Sequence, residues 1–435
     1  MRNSLNKLNG LSKIFRSKYY PAIIKWPTFF IFIVIFFQLS LGTTNSEQNL
    51  GSSMTWLFWW TLLPLVFIIF GRIWCSICPF STLSDSVQKI VGNKLKVPRF
   101  LKKYGFWIII ILLIILTWLE EFYEIVDSPR ATSIFLMIIF TSALAFGAFY
   151  ERRAWCRYIC PLGAMAGTYS RMSILAVRGD EQICKQCESV ECYKGNSDIS
   201  GCPMYEYPRV MNDNLYCNLC GDCFKSCPND SINLYIRKPT SELWDIRKLR
   251  IVEAFTAIVI MGMLVLQNTL EGNKEFVANF IPGFSFDINY TLFYISALIF
   301  SNLVVALFSY ISSSQNKLPT GVNFTLFGIS LIPLVFGVQV AHNLHEILDE
   351  GFLVLKNIPY LGVIIGLPAH DNILGDGEIL LFQVLTLFTT FALSILVMYK
   401  LGKKHIEKNK FLFTGSCFFM IVVIFFVLHF YLTMS

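Results

Sequence analysis

Cys217-Asn218-Leu219-Cys220-Gly221-Asp222-Cys223-Phe224-Lys225-Ser226-Cys227-Pro228 is the stretch on which the reading of this chain turns. Its spacing, C-x2-C-x2-C-x3-C-P, sets three thiolates around a cubane [4Fe–4S] cluster and lends the fourth to a neighbouring one. A looser counterpart stands upstream: Cys184-x2-Cys187-x4-Cys192, then nine residues, then Cys202-Pro203. In two-cluster ferredoxins each triplet takes its last ligand from the other motif. That rule predicts one cluster on Cys184, Cys187, Cys192 and Cys227, and a second on Cys217, Cys220, Cys223 and Cys202. The crossed pairing requires the loop to fold back on itself as a compact α+β unit. Pro203 and Pro228 fix φ after a ligand, and the alternating Ser231–Ile236 reads as a closing strand. C-x2-C pairs also build four-thiolate zinc sites; the triplet with its trailing Cys-Pro favours clusters.

Outward from this island the chain is hydrophobic. Of 435 residues, 54% are hydrophobic and 15% charged, with 40 Phe and a mean hydropathy of +0.55. Soluble domains carry about 25% charge, so the expected fold is an all-α polytopic membrane bundle with a ferredoxin insert. Nine stretches are long enough to cross, at about 20 residues each: 26–42, 54–71, 105–126, 131–150, 251–270, 288–311, 322–345, 379–400 and 411–433. The apolar stretch 351–369 is interrupted by Asn357, Pro359 and Pro368 and reads as extramembrane or re-entrant.

Lys and Arg mark cytoplasmic loops. Segment 1–25 has six and no acid, 72–104 has seven against one acid, and 400–410 has five against one. The intervening loops carry Glu47, then Glu120, Glu121, Glu124 and Asp127, then Glu271, Glu275 and Asp287. The N-terminus and the insert are therefore expected inside, and the C-terminus outside. The first span reads as a retained anchor, since no A-x-A cleavage site follows. The expected organisation is a basic leader (1–25), four membrane helices (26–150), a linker (151–180), the two-cluster domain (181–237) and five further helices (251–435).

A second cysteine pattern is repeated. Gly71-Arg72-Ile73-Trp74-Cys75-Ser76-Ile77-Cys78-Pro79 follows the second span, and Glu151-Arg152-Arg153-Ala154-Trp155-Cys156-Arg157-Tyr158-Ile159-Cys160-Pro161 follows the fourth. Arg and Trp belong at headgroup level, so Cys75, Cys78, Cys156 and Cys160 share one depth. They can bind a third iron–sulfur cluster or another thiophilic metal, act as a dithiol relay, or pack helix ends as small apolar residues.

Two inner-edge Cys-Pro motifs followed by a two-cluster ferredoxin module resemble the NapH/NosR-type membrane polyferredoxins and, more distantly, the CcoG type, over about residues 50–240. The resemblance implies electron transfer in anaerobic respiration, at the bacterial inner membrane. Electrons would run between the quinone pool or a cytoplasmic donor and a periplasmic reductase or its maturation proteins. It also implies that the eight insert cysteines are the cluster ligands. The chain departs from the family pattern in its first pair, C-x2-C rather than C-x3-C. No flavin-binding domain precedes the motif-bearing helices, and five spans follow the insert.

Five histidines remain. His342 and His345, three apart on one helix face, and His429 lie near the outer ends of the seventh and ninth spans, with His370 in the adjoining loop. Intramembrane ionisable groups are costly and face bundle interiors. The trio can ligate haem b or copper, or accept protons from a quinol; as interfacial residues they need only hydrogen bonds. His405, among lysines, reads as a headgroup contact. Thiolates inside and histidines outside also suit a second class, a copper or metal reductase or a metallocentre-maturation factor. No Walker loop, nucleophile elbow or H-E-x-x-H appears, and the +7 charge reflects topology rather than nucleic-acid binding.

Overall fold

A computed structural model describes residues 6–91, 95–246, 248–358 and 373–434. Among them are nine helices long and apolar enough to cross a membrane: Ala22–Leu41, Leu50–Phe70, Arg99–Phe122, Pro129–Phe149, Ile251–Ala278, Phe286–Asn316, Thr320–Lys356, Asp376–His405 and Lys408–Thr433. Each coincides with an expected span. The seventh departs in length. It runs on through Lys356, 37 residues in all, or about 55 Å of helix. The start of the interrupted stretch is thus helical, and His342 and Glu346 lie well inside the helix rather than at its end. His370 lies outside the described residues.

The chain forms two compact units, Met1–Phe36 with Leu65–Leu112 and Ser133–Arg247, and Phe37–Pro64 with Leu113–Thr132 and Lys248–Ser435. The second unit is built on its seventh span, of whose most apolar window 94% is buried. Such burial demands close neighbours, and a Cβ on Gly337 would meet the Thr390 side chain of the eighth span. Small residues at such crossings let helix backbones approach. Pro333 removes an amide from the same helix, and the next amide, Leu334 N–H, donates to Ser394 Oγ at 3.0 Å.

The first unit holds the cysteines. Its sheet is antiparallel, in the order β1 (Asn6–Lys7), β3 (Ile232–Ile236), β2 (Leu175–Gly179). β3 is the expected closing strand. β1 was not expected: it belongs to the basic leader, and so does the helix Asn9–Arg16 that follows it. Phe15 and Tyr20 pack with Val177, Leu219, Phe224 and Leu234 in one apolar core. Tyr20 Oη donates to Leu219 O at 2.7 Å. The leader is therefore part of the insert's fold as well as a topogenic charge cluster. Its six cations attracted the sequence reading, while Phe15 and Tyr20, isolated aromatics with no period, did not.

Phe15→Ala should cost about 3–5 kcal/mol of the insert's stability, as expected for emptying a buried ring site. Limited proteolysis and the thermal midpoint of the detergent-solubilised protein check this. Unchanged protection of the 181–237 region would show that the leader does not brace it.

Candidate metal centres

Local structure at each motif explains how the cysteines are presented. Asp180 caps the short helix Glu181–Gln186, its carboxylate accepting from the amides of Gln182 (2.9 Å) and Ile183 (3.2 Å), and so orients Cys184. Val190 (φ 56°) precedes Cys192, and Leu219 (φ 52°) lies between Cys217 and Cys220. Left-handed backbone at such residues costs on the order of 1–3 kcal/mol each and collects at ligand-binding loops. Gly179 leaves space: a Cβ there would stand 2.7 Å from Cys184 Sγ.

The sulfurs fall into three groups of four. Cys192 lies within electrostatic reach of Cys227, Cys184 and Cys187, and the Ser231 hydroxyl stands 3.3 Å from both Cys184 and Cys227 Sγ. Cys223 lies within electrostatic reach of Cys220, Cys217 and Cys202, and also of Cys192. These two groups follow the crossed order of the spacing. The third joins the repeated edge motifs: Cys160 faces Cys156, Cys75 and Cys78. Tertiary folding thus brings together two pairs that are 81 residues apart in their first members.

Burial, then neighbouring sulfur charge, pushes the Cys78, Cys192 and Cys202 thiols up to about 12. Four buried thiolates repel one another, and only a cation among them makes the deprotonated set stable. Among the described residues no three cysteine sulfurs converge within 4.8 Å. A tetrahedral zinc–thiolate site needs sulfurs about 3.8 Å apart, given Zn–S near 2.3 Å.

Arginines supply positive charge around these groups. The sequence placed Arg72 and Arg153 at headgroup level; the structure buries them, at 2% and 4% exposure. Arg72 Nη1 donates to Leu215 O at 2.8 Å, and its guanidinium faces Cys75, Cys160 and Cys156. Cys217 also feels Arg72, so one cation serves the edge group and the insert. Arg153 reaches Cys75 O at 2.5 Å and grips Asp85, with Nη2–Oδ2 at 2.7 Å. Nearby, Glu242 takes Arg171, Arg178 and Arg237 together. Asp213 also acts on Arg178 and Arg237, and Cys217 lies within the field of both arginines. Nothing in the sequence marks these arginines as internal. The neighbouring Trp-Cys pairs were the available signal, since a cation beside paired buried thiols has a charge to meet.

The histidines do not form the expected set. His345 is exposed. His429 is fully buried, with Nδ1 3.2 Å from Asn268 Nδ2. His342 turns to Glu271, with Nδ1 3.1 Å from Oε1. Its partners are carboxylates because Glu346, four residues on, shares its helix face and the fifth span brings Glu271 opposite.

A family model described as a 4Fe-4S binding domain matches residues 52–98 and 132–178, the two halves of the edge repeat. Among curated proteins the chain is 28% identical over 214 residues (41% of this chain, 57% of that one) to YccM of Escherichia coli K12, whose name provisionally assigns it to electron transport. It is 27% identical over 192 residues to the protein NirI of Paracoccus denitrificans, 39% of this chain and 28% of NirI. With the regulatory protein NosR of Pseudomonas aeruginosa it shares 30% identity over 127 residues, 24% of this chain and 17% of NosR. The chain thus carries two segments similar to a 4Fe-4S binding domain. It spans little more than half the length of YccM and smaller fractions of NirI and NosR. No solved structure matches it significantly.

Burial would raise the Asp85 carboxyl, but Arg153, Lys25 and Arg152 outweigh it and hold the group at about 2, below its usual 3.8. A lowered native value contributes stability above about pH 4 that is lost as pH falls through about 2. Asp85→Ala should destabilise the first unit by about 3–5 kcal/mol by stranding a buried guanidinium, and should abolish that acid transition. Thermal midpoints of both proteins across this pH range check the sign.

Proposed function

We propose that the chain is a membrane-bound electron-transfer protein, carrying electrons between a quinol or cytoplasmic donor and a periplasmic reductase. The observation that carries this reading is the continuity of three four-thiol groups. Cys223 of one insert group feels Cys192 of the other, and Arg72 is shared between Cys217 and the edge cysteines. Cys184, Cys187, Cys192 and Cys227 would hold one [4Fe–4S] cluster, and Cys202, Cys217, Cys220 and Cys223 a second. Cys75, Cys78, Cys156 and Cys160 would hold a third, a reading favoured by the 4Fe-4S description of the model matching both their segments. A cluster held in this way accepts and returns one electron at a time.

The protein's own groups would set the working conditions. Arg72, Arg153 and the three arginines on Glu242 place positive charge beside buried sulfur, which favours the more negative, reduced state. Ser231, within reach of two sulfurs of the same group, offers its hydroxyl to their charge. Buried apolar packing around Phe15, Leu219 and Phe224 excludes water. The charge pattern of the loops supports a bacterial inner-membrane location, with the insert and N-terminus cytoplasmic and the C-terminus periplasmic. The names of NirI and NosR support a respiratory setting only by similarity over the cysteine-bearing region.

Protein purified without oxygen should contain about twelve iron and as many acid-labile sulfides per chain, the content of three cubane clusters. Cys223→Ala and Cys156→Ala should each remove about four. Eight iron with copper at the edge cysteines would move the chain to the metal-handling class. Zinc in the insert, with no paramagnetic signal after dithionite, would refute the electron-transfer reading. Replacing Arg72 by Gln should lower the midpoint potential of at least one centre, read by redox-poised EPR.

A further inference from the structure

In the second unit a cavity of about 260 Å³ opens among the third, fifth, sixth and seventh spans. Six carboxylates line it, against one histidine and one lysine. Ligand atoms of Glu271, His342 and Glu346 all lie within 4.8 Å of one another. His342 and Glu346 are a turn apart on the seventh span, so both side chains leave the same face. Glu271 comes from the fifth span, and His342 Nδ1 stands 3.1 Å from its Oε1.

A second observation points to a ligand. Glu120, at the end of the third span, also lines the cavity and is 4% exposed; its backbone carbonyl accepts from Ile125 N–H, but its carboxylate makes no hydrogen bond or ion pair among the described residues. A buried carboxylate without a partner costs several kcal/mol if charged, about the desolvation penalty of an ion in protein. Lys274 does not supply the missing charge, because its ammonium lies over the Phe286 ring, 5.5 Å from the centroid. Glu121, Glu124 and Asp127 add to the negative side of the cavity.

We infer that Glu271, His342 and Glu346 bind a divalent first-row transition-metal ion, with Glu120 as the adjacent counter-charge. The donor set decides the class. One imidazole nitrogen with carboxylate oxygens suits manganese, iron or zinc; copper(I) prefers sulfur, and magnesium and calcium prefer oxygen alone. The ion would tie the fifth and seventh spans together and neutralise the carboxylates that crowd the cavity. This site is independent of the cysteine groups, and its test does not require them to hold iron.

Mn2+ titrated into the full-length, metal-stripped protein in lipid nanodiscs tests the assignment, with the free ion read by its EPR signal. Wild-type protein should bind one Mn2+ per chain, displaceable by Zn2+. Glu346→Gln and Glu271→Gln should each weaken binding at least tenfold, whereas His345→Gln, on the exposed side of the same helix, should not. Bound Mn2+ should raise the thermal midpoint of wild type but not of Glu346→Gln. Without metal, Glu346→Gln should be at least as stable as wild type, because it relieves carboxylate repulsion; that result also shows that the variant folds. Wild-type protein that binds no more Mn2+ than Glu346→Gln, or equal loss in His345→Gln, would overturn the inference.

Discussion

Twelve sulfurs gathered in three groups are stable together as thiolates only if positive charge stands among and around them, and the first unit places arginines there. Burial and neighbouring sulfurs push the Cys78, Cys192 and Cys202 thiols up to about 12. The surrounding protein leans the other way. Arg72 and Arg153 come inward from the edge motifs, and Arg171, Arg178 and Arg237 meet at Glu242. Buried cations in such numbers are expensive without a complementary charge. Centres held by the cysteines would supply complementary charge, and metal loading would then be coupled to folding of this unit.

The same coupling explains the leader. The sheet would have only two strands without Asn6–Lys7, and the apolar core would lack Phe15 and Tyr20. A small insert with short helices has little hydrophobic core of its own. Borrowing a strand and a helix from the far end of the chain adds apolar burial, and it holds Leu219, whose strained backbone lies between two cysteines, through the Tyr20 hydroxyl. Arg152 extends the bracing, donating to Asp222 and Gly201 O across the two motif regions.

The second unit handles charge differently. Its central helix carries His342 and Glu346 inside a long apolar run, and the facing helices bring further carboxylates rather than cations. Helical spacing alone made His345 as good a partner for His342 as Glu346 is, since i+3 and i+4 both share a face. The position of Glu271 on the neighbouring helix broke that tie. In the same way the spacing of the insert cysteines predicted a crossed grouping, while nothing in the edge repeats told whether Cys75 and Cys78 meet Cys156 and Cys160.

The sequence by itself determined the membrane class and the nine spans, because hydropathy is a local property read along one strand of chain. It did not determine which distant residues share a neighbourhood. The closure of the edge group, the inward turn of Arg72 and Arg153, the recruitment of the leader and the pairing of His342 with glutamates were decided by tertiary packing. They depend on contacts between segments tens to hundreds of residues apart, where a periodic pattern carries no information about the partner.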